Sequence, residues 1–185
     1  MRTILLLLLC LLGTAPARAN ETAPWLALLT GNAIALMRHA DAPGGYGDPP
    51  GFKLEDCATQ RNLSAKGRAD AAAAGLLLRH TWVIPRRILT SPWCRCIDTA
   101  KLMDLGEARI EHTFGNPVVW TERREALASG ARAVIRDWKG PGPLLIVTHG
   151  ALIAMLTGYN PAPGEIVVVD NTLKEIGRIP LPSTR

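Results

Sequence analysis

Beyond its first dozen residues the sequence has no apolar run approaching the ~20 residues that a membrane-spanning helix needs, and it has no internal repeat or low-complexity tract. Its carboxylates are scattered, so no oxygen-donor cation site stands out. No block of Lys and Arg and no basic stretch interleaved with aromatics is present, which argues against a nucleic-acid partner. Arg86-Arg87 and Arg123-Arg124 read instead as solvated surface pairs. Cysteine is scarce, at four residues. None of them opens the phosphate-binding loop pattern of a cysteine-dependent phosphatase, and a zinc site would lack a fourth ligand nearby. The chain is therefore expected to work without metal or cofactor.

What is present begins with a leader. Arg2 precedes an apolar run from Ile4 to Leu12, and Gly13-Thr14-Ala15-Pro16 leads into the small-x-small site Ala17-Arg18-Ala19. This pattern predicts a secretory signal peptide over residues 1–19, a single domain over 20–185, a periplasmic or secreted location, and no stable membrane insertion once the leader is removed. Loss of Arg2 and Arg18 lowers the formal net charge from +5 to +3. A small anionic substrate suits that mild excess.

The remaining chain alternates helix-like and strand-like segments. A short helix starting at Pro24 stops at Gly31, and a strand follows from Ala33 to Met37. The Gly/Pro-rich stretch from Ala40 to Cys57 reads as a long surface loop beside a strand end, a common place for a substrate-facing wall. Ser64 opens a helix with Ala69, Ala72, Ala73, Leu76 and Leu77 as its apolar stripe. A strand from Arg87 to Thr90 leads to a helix near Pro92 that carries Arg95 in its first turn. Then come a polar strand from Arg109 to Thr113, a helix presenting Leu127, Ala131, Val134, Ile135 and Trp138, an apolar strand from Leu144 to Thr148, a short helix from Gly150 to Leu156, and a last strand from Glu165 to Val169 near the sheet edge. This order predicts a three-layer α/β/α sandwich on a mostly parallel central sheet.

Three apolar runs end in cationic or imidazole side chains: Leu36-Met37-Arg38-His39, Ile88-Leu89-Thr90-Ser91 followed by Arg95, and Leu145-Ile146-Val147-Thr148-His149. As parallel strands they would open at one sheet edge, where open α/β sheets bind ligands. Two arginines and two histidines would meet there. Guanidinium groups match phosphate oxygens bidentately and stay charged at any working pH, so the expected ligand is a phosphoryl group. A histidine ending a buried strand is by itself more often structural than catalytic. His80 and His112 lack such motif context and read as ordinary surface or boundary residues.

The segments Leu36-Met37-Arg38-His39-Ala40, Arg61-Asn62-Leu63-Ser64-Ala65-Lys66-Gly67, Thr90-Ser91-Pro92-Trp93-Cys94-Arg95-Cys96-Ile97-Asp98-Thr99-Ala100 and Val147-Thr148-His149-Gly150 together resemble the histidine phosphatase superfamily, the phosphoglycerate mutase-like proteins. The resemblance spans most of the chain beyond the leader, and it departs at Ala40, where most members have glycine. It implies a phosphoglycerate mutase-like fold with His39 as nucleophile, and Arg38, Arg95 and His149 as groups that bind and stabilise the phosphoryl oxygens. Arg61 is a further expected substrate contact. The resemblance also implies a general acid, commonly a carboxyl group in the segment after the third strand: Glu122 fits that location best and Glu125 is close behind, while Asp41, near the nucleophile, is a third candidate.

After removal of the leader Cys57, Cys94 and Cys96 remain. In an oxidising compartment one disulfide is expected, and we take Cys57 with Cys94 as the leading pair, with Cys96 buried, while other pairings stay open. The expected activity is hydrolysis of a small phosphorylated substrate through a covalent phosphohistidine. A catalytically silent phosphate-binding envelope module is the alternative, and a mutase is a poorer reading.

Overall fold

A computed structural model of the chain describes residues 21–31, 33–45 and 47–181. The expected leader lies outside the described residues. Helix α1 (Ala23–Thr30) has proline at its start and ends where Gly31 takes a left-handed conformation, φ 106°, a geometry glycine adopts without a Cβ penalty. Strand β1 (Ile34–Arg38) follows, then α2 (Ala65–His80), β2 (Arg87–Thr90), α3 (Cys94–Met103), β3 (Ala108–Ile110), α4 (Arg124–Arg136), β4 (Leu144–Thr148), α5 (Gly150–Thr157), β5 (Ile166–Val169) and β6 (Glu175–Ile179).

The strands form one sheet in the order β3-β2-β4-β1-β5-β6. The first four run parallel, whereas β5 is antiparallel to both β1 and β6. Side chains alternate across it. Ala35, Met37, Leu145, Val147, Ile166 and Val168 pack with Leu28, Ala74, Leu78 and Met103 on the side of α1, α2 and α3. Ile34, Leu36, Leu144, Ile146, Val167 and Val169 pack with Leu127, Ala131, Ile135, Leu152 and Ile153 on the side of α4 and α5. Burying each such Leu or Ile contributes about 1.5–3 kcal/mol, so both layers are needed to hold the sheet between its helices. The three-layer expectation agrees with this architecture.

Three local expectations differ from the structure. The buried face of α2 is Gly67, Asp70, Ala71, Ala74, Gly75 and Leu78, not the stripe of Ala69, Ala72, Ala73, Leu76 and Leu77; Leu76 is 50% exposed. A run of alanines carries no apolar contrast, and the contact is set by glycine instead. A Cβ on Gly75 would collide with the backbone carbonyl of Met103, and one on Gly67 with that of Asp41. The strand expected over Arg109–Thr113 ends at Ile110: Glu111 N still donates to Thr90 O (2.9 Å), but the Glu111 side chain accepts a hydrogen bond from Thr113 N (3.2 Å) and caps a 3-10 turn over His112–Phe114. The last expected strand is β5, fully buried inside the sheet; the edge belongs to β6, whose mixed burial and central Gly177 hid it.

Gly75→Ala is expected to destabilise the protein. Overpacking against a backbone costs roughly 1–3 kcal/mol, more than the ~1 kcal/mol that alanine gains in helix propensity. Urea unfolding should show a lowered midpoint, and an unchanged or raised one would mean that α2 and α3 approach less closely than described.

Candidate active site

The site lies at the carboxyl ends of β1, β4 and β2. Parallel pairing sets Arg38 beside Thr148 and Thr90 beside Val147. The ladder then runs one residue past each strand, with His39 N donating to Thr148 O and Ser91 N to Val147 O, both at 2.9 Å. That extension holds His39, Ser91 and His149 on ordered backbone at one edge.

The two imidazoles are buried, at 3% exposure each, with ring centroids 5.4 Å apart and planes inclined at 70°. His39 Nδ1 lies 2.8 Å from the carbonyl oxygen of Ala40. A carbonyl only accepts, so Nδ1 carries the proton and Nε2 keeps its lone pair. His149 Nε2 is 2.9 Å from Ser91 Oγ and 3.7 Å from Cys96 Sγ, and its ring meets the Trp93 indole edge to face at 5.2 Å. Burial is the largest cause lowering the pKa of each imidazole, followed by the charge of Arg95. His39 is brought down to about 3, with its hydrogen bond to Ala40 the opposing influence.

Arg38 Nη1 donates to the carbonyl of Pro161 at 2.8 Å. The Tyr159–Gly164 turn that presents this carbonyl is itself held by Glu165, which accepts from Ala162 N (2.7 Å) and from the Tyr159 hydroxyl (3.1 and 3.2 Å). Arg61 donates from Nε to Gly47 O at 3.0 Å and from Nη1 to Ala42 O, so the long loop wraps it. Arg95 is fully buried in the first turn of α3 and meets the Asp48 carboxylate through Nη1 (2.7 Å) and Nη2 (3.2 Å). Cys57 and Cys94 form the disulfide, the leading pair of the sequence reading, and Cys96 is the buried free thiol. Burial is the main influence raising the Cys96 pKa to about 12, which leaves it unreactive.

Arg38, His39, Arg61 and His149 line one cavity of about 440 Å³, together with Asn116, Asn160, Val118, Gly45, Gly47, Gly150, Ala151 and Ala154. Arg95 is fully buried and is not a lining residue, but its charge acts on both His39 and His149. The three carboxylates considered as the general acid are not among the lining residues. Glu122 and Glu125 are exposed, because Trp120 is the residue of that segment that turns inward, packing on Trp93 at 4.7 Å. Asp41 accepts from Ser64 Oγ at 2.6 Å, supporting the residue that caps α2. In the segment after β3 it is the amide of Asn116, 4% exposed, that reaches the cavity, with Oδ1 accepting from Val118 N at 3.0 Å. Among the described residues no group of three or more His, Cys, Asp or Glu side chains is placed to hold a metal ion.

Sequence reasoning missed Asp48, Ser91, Asn116 and Asn160 as parts of this site. Asp48 stands within Gly47-Asp48-Pro49-Pro50, in the loop already identified as a wall, and a lone acid there was the available signal. Ser91 lies in a quoted motif but carries no role legible without the His149 distance. The two asparagines gave no signal.

The architecture is the phosphoglycerate mutase-like α/β fold. Among solved structures, the chain is similar to the protein histidine phosphatase SixA complexed with tungstate, at 18% identity and a TM-score of 0.56, over 80% of this chain and 96% of that one. It is also similar to a phosphoglycerate mutase from Thermus thermophilus, at 18% identity and a TM-score of 0.57, over 81% of this chain and 99% of that one. The product of the open reading frame Rv3214 from Mycobacterium tuberculosis gives 18% identity and a TM-score of 0.57, over 81% and 96%. At these identities the shared property is the fold. No protein-family model matches the sequence, and no curated protein does.

The lowered His39 pKa makes stability depend on pH. Between about 3 and the unfolded value of 6.5 the native state binds fewer protons at His39 than the unfolded chain, so stability rises with pH across that window and is lost on acidification. His149 acts in the same direction. Thermal melts from pH 7.5 down to pH 4 should fall steeply, by about 1.4 kcal/mol for each fully titrating unit per site. His39→Ala should flatten the slope, and an unchanged slope would remove His39 as its source.

Proposed function

We propose that the protein is an exported phosphatase of the histidine phosphatase superfamily that hydrolyses small phosphate monoesters through a covalent phosphohistidine on His39. The observation that carries this reading is the convergence of a buried imidazole, free at Nε2, with Arg38, Arg61 and His149 around one cavity, the buried Arg95 adding its charge. The fold supports it as well. A neighbour of that fold, SixA, was solved with tungstate, a tetrahedral oxyanion. The disulfide fits an oxidising, extracytoplasmic compartment, and a periplasmic or secreted location accords with the leader pattern at residues 1–19.

In the first step His39 Nε2 attacks phosphorus in line with the leaving oxygen. The P–N bond forms, the P–O bond breaks, and the electron pair leaves with the alcohol oxygen. Arg38, Arg61 and Arg95 neutralise the oxygens as charge redistributes in the transition state, and His149, whose Nε2 is held by Ser91, donates from Nδ1. Water then attacks phosphorus and releases a proton to solvent; the new P–O bond forms as the P–N bond breaks, phosphate leaves, and Nε2 regains its lone pair. Neutral His39 is available at any pH above about 3, so the nucleophile needs no separate base. Gly150 and Ala151, at the start of α5, also line the cavity wall.

No carboxylate lines the cavity among the described residues. The leaving group therefore takes its proton from solvent, and compounds with weakly basic leaving groups are the better substrates. The mature protein is expected to hydrolyse an aryl phosphate, to lose turnover and acid-labile phosphohistidine together in His39→Ala, and to keep its rate within about twofold in Glu122→Gln, since surface changes away from a site are near neutral. Rates across a series of aryl and alkyl phosphates should fall as leaving-group basicity rises. A large loss in Glu122→Gln would restore Glu122 as the acid. Tight phosphate binding without turnover would favour the silent binding module.

A further inference from the structure

The Asp48 side chain has no solvent exposure, and neither does that of Arg95. Four donors saturate the carboxylate. Oδ1 accepts from Arg95 Nη1 at 2.7 Å and from the Arg61 amide at 3.1 Å, while Oδ2 accepts from Arg95 Nη2 at 3.2 Å and from the Trp93 indole Nε1 at 2.9 Å. The carboxylate thus takes the end of the guanidinium fork, across both terminal nitrogens. The second hydrogen of Nη1 goes to the carbonyl of Arg61 at 3.2 Å. What remains is the side edge of the fork, made of Nε and Nη2, and Nε is buried with no hydrogen-bond partner among the described residues. An unpartnered donor on a buried cation is costly unless an anion arrives to meet it.

We propose that Asp48 is a positioning residue for the phosphoryl-transfer reaction, holding Arg95 end-on so that its Nε–Nη2 edge is presented to the phosphoryl oxygens. This rests on the phosphatase reading. The charges agree with it, because Arg38, Arg61 and Arg95 less the carboxylate of Asp48 leave two positive charges against a phosphoryl dianion. The carboxylate is securely ionised: burial raises its pKa, but the hydrogen bonds and charge of Arg95, with the Arg61 amide and the Trp93 indole, outweigh that and lower it. Its loop is anchored at a second point on the same helix. The disulfide joins Cys57 to Cys94, and Cys94 N donates to Gln60 Oε1 at 3.0 Å.

The test is a double-mutant cycle of wild type, Asp48→Asn, Arg95→Ala and the pair, with turnover of an aryl phosphate normalised to the phosphoenzyme burst and tungstate affinity measured by calorimetry. Asp48→Asn is expected to lower normalised kcat/KM on the order of 10- to 100-fold through misalignment. Arg95→Ala should lower it by about 100- to 1000-fold, the usual loss for one transition-state donor. In Arg95→Ala the carboxylate keeps the Arg61 amide and the Trp93 indole but loses its countercharge, and its uncompensated negative charge repels the anion, so adding Asp48→Asn should restore both turnover and tungstate affinity above those of Arg95→Ala alone. A merely structural aspartate would not give that rescue. Losses that multiply, or Asp48→Asn at the wild-type rate and wild-type tungstate affinity, would overturn the assignment. If the wild type shows no turnover and no phosphohistidine, the phosphatase reading fails, while the same ordering or its absence in tungstate affinity still decides the role of Asp48.

Discussion

The parallel pairing of β1 with β4 is the constraint on which the site depends. Both strands are central, and both are fully buried except at the last residue of β1. Their register is locked because a slip of one residue would exchange the two core layers, turning Ile34 and Leu36 toward the side of α1 to α3. The same register places the two histidines one residue beyond paired strand ends, with His39 hydrogen-bonded to Thr148. The hydrophobic pattern that stabilises the sheet is thus also the device that brings two imidazoles to 5.4 Å. No dedicated positioning element is required for them.

Around that pair the electrostatics have a consistent sign. Burial and the arginines both oppose protonation of the imidazoles, so the site concentrates fixed positive charge while leaving His39 and His149 neutral. The arginines cannot release their protons at working pH, and the cost of holding them is met by specific acceptors: Pro161 for Arg38, Gly47 and Ala42 for Arg61, Asp48 for Arg95. An anion entering the cavity meets donors already aimed by backbone and carboxylate. Such preorganisation leaves little reorientation to occur when an anion binds.

Much of this was legible in the sequence, and the reasons are physical. Apolar strands ending in Arg38-His39, Thr90-Ser91 and Thr148-His149 could be read because a buried strand is a continuous apolar run and a polar residue at its end stands out. The capping serine at 64 and the stop at Gly31 were equally local. What escaped depended on contacts distant in sequence. The face of α2 was set by Gly67 and Gly75 meeting other backbones, where an alanine-rich pattern carries no contrast. Asp48 belonged to a loop without periodicity, and its partner lies 47 residues away. The acid expected at Glu122 followed a resemblance, whereas the inward turn of that segment was decided by Trp120 packing on Trp93.

The crosslink between Cys57 and Cys94 has a mechanical consequence. Because the wall loop is covalently tied to the first turn of α3, and Gln60 and Asp48 grip that same turn, the loop at the rim of the cavity and the buried Arg95 are held together as one unit. Under the proposed role of Asp48, a displacement of the wall loop that widened the entrance would also shift the Arg95 guanidinium, so the shape of the mouth and the placement of that cation are mechanically linked.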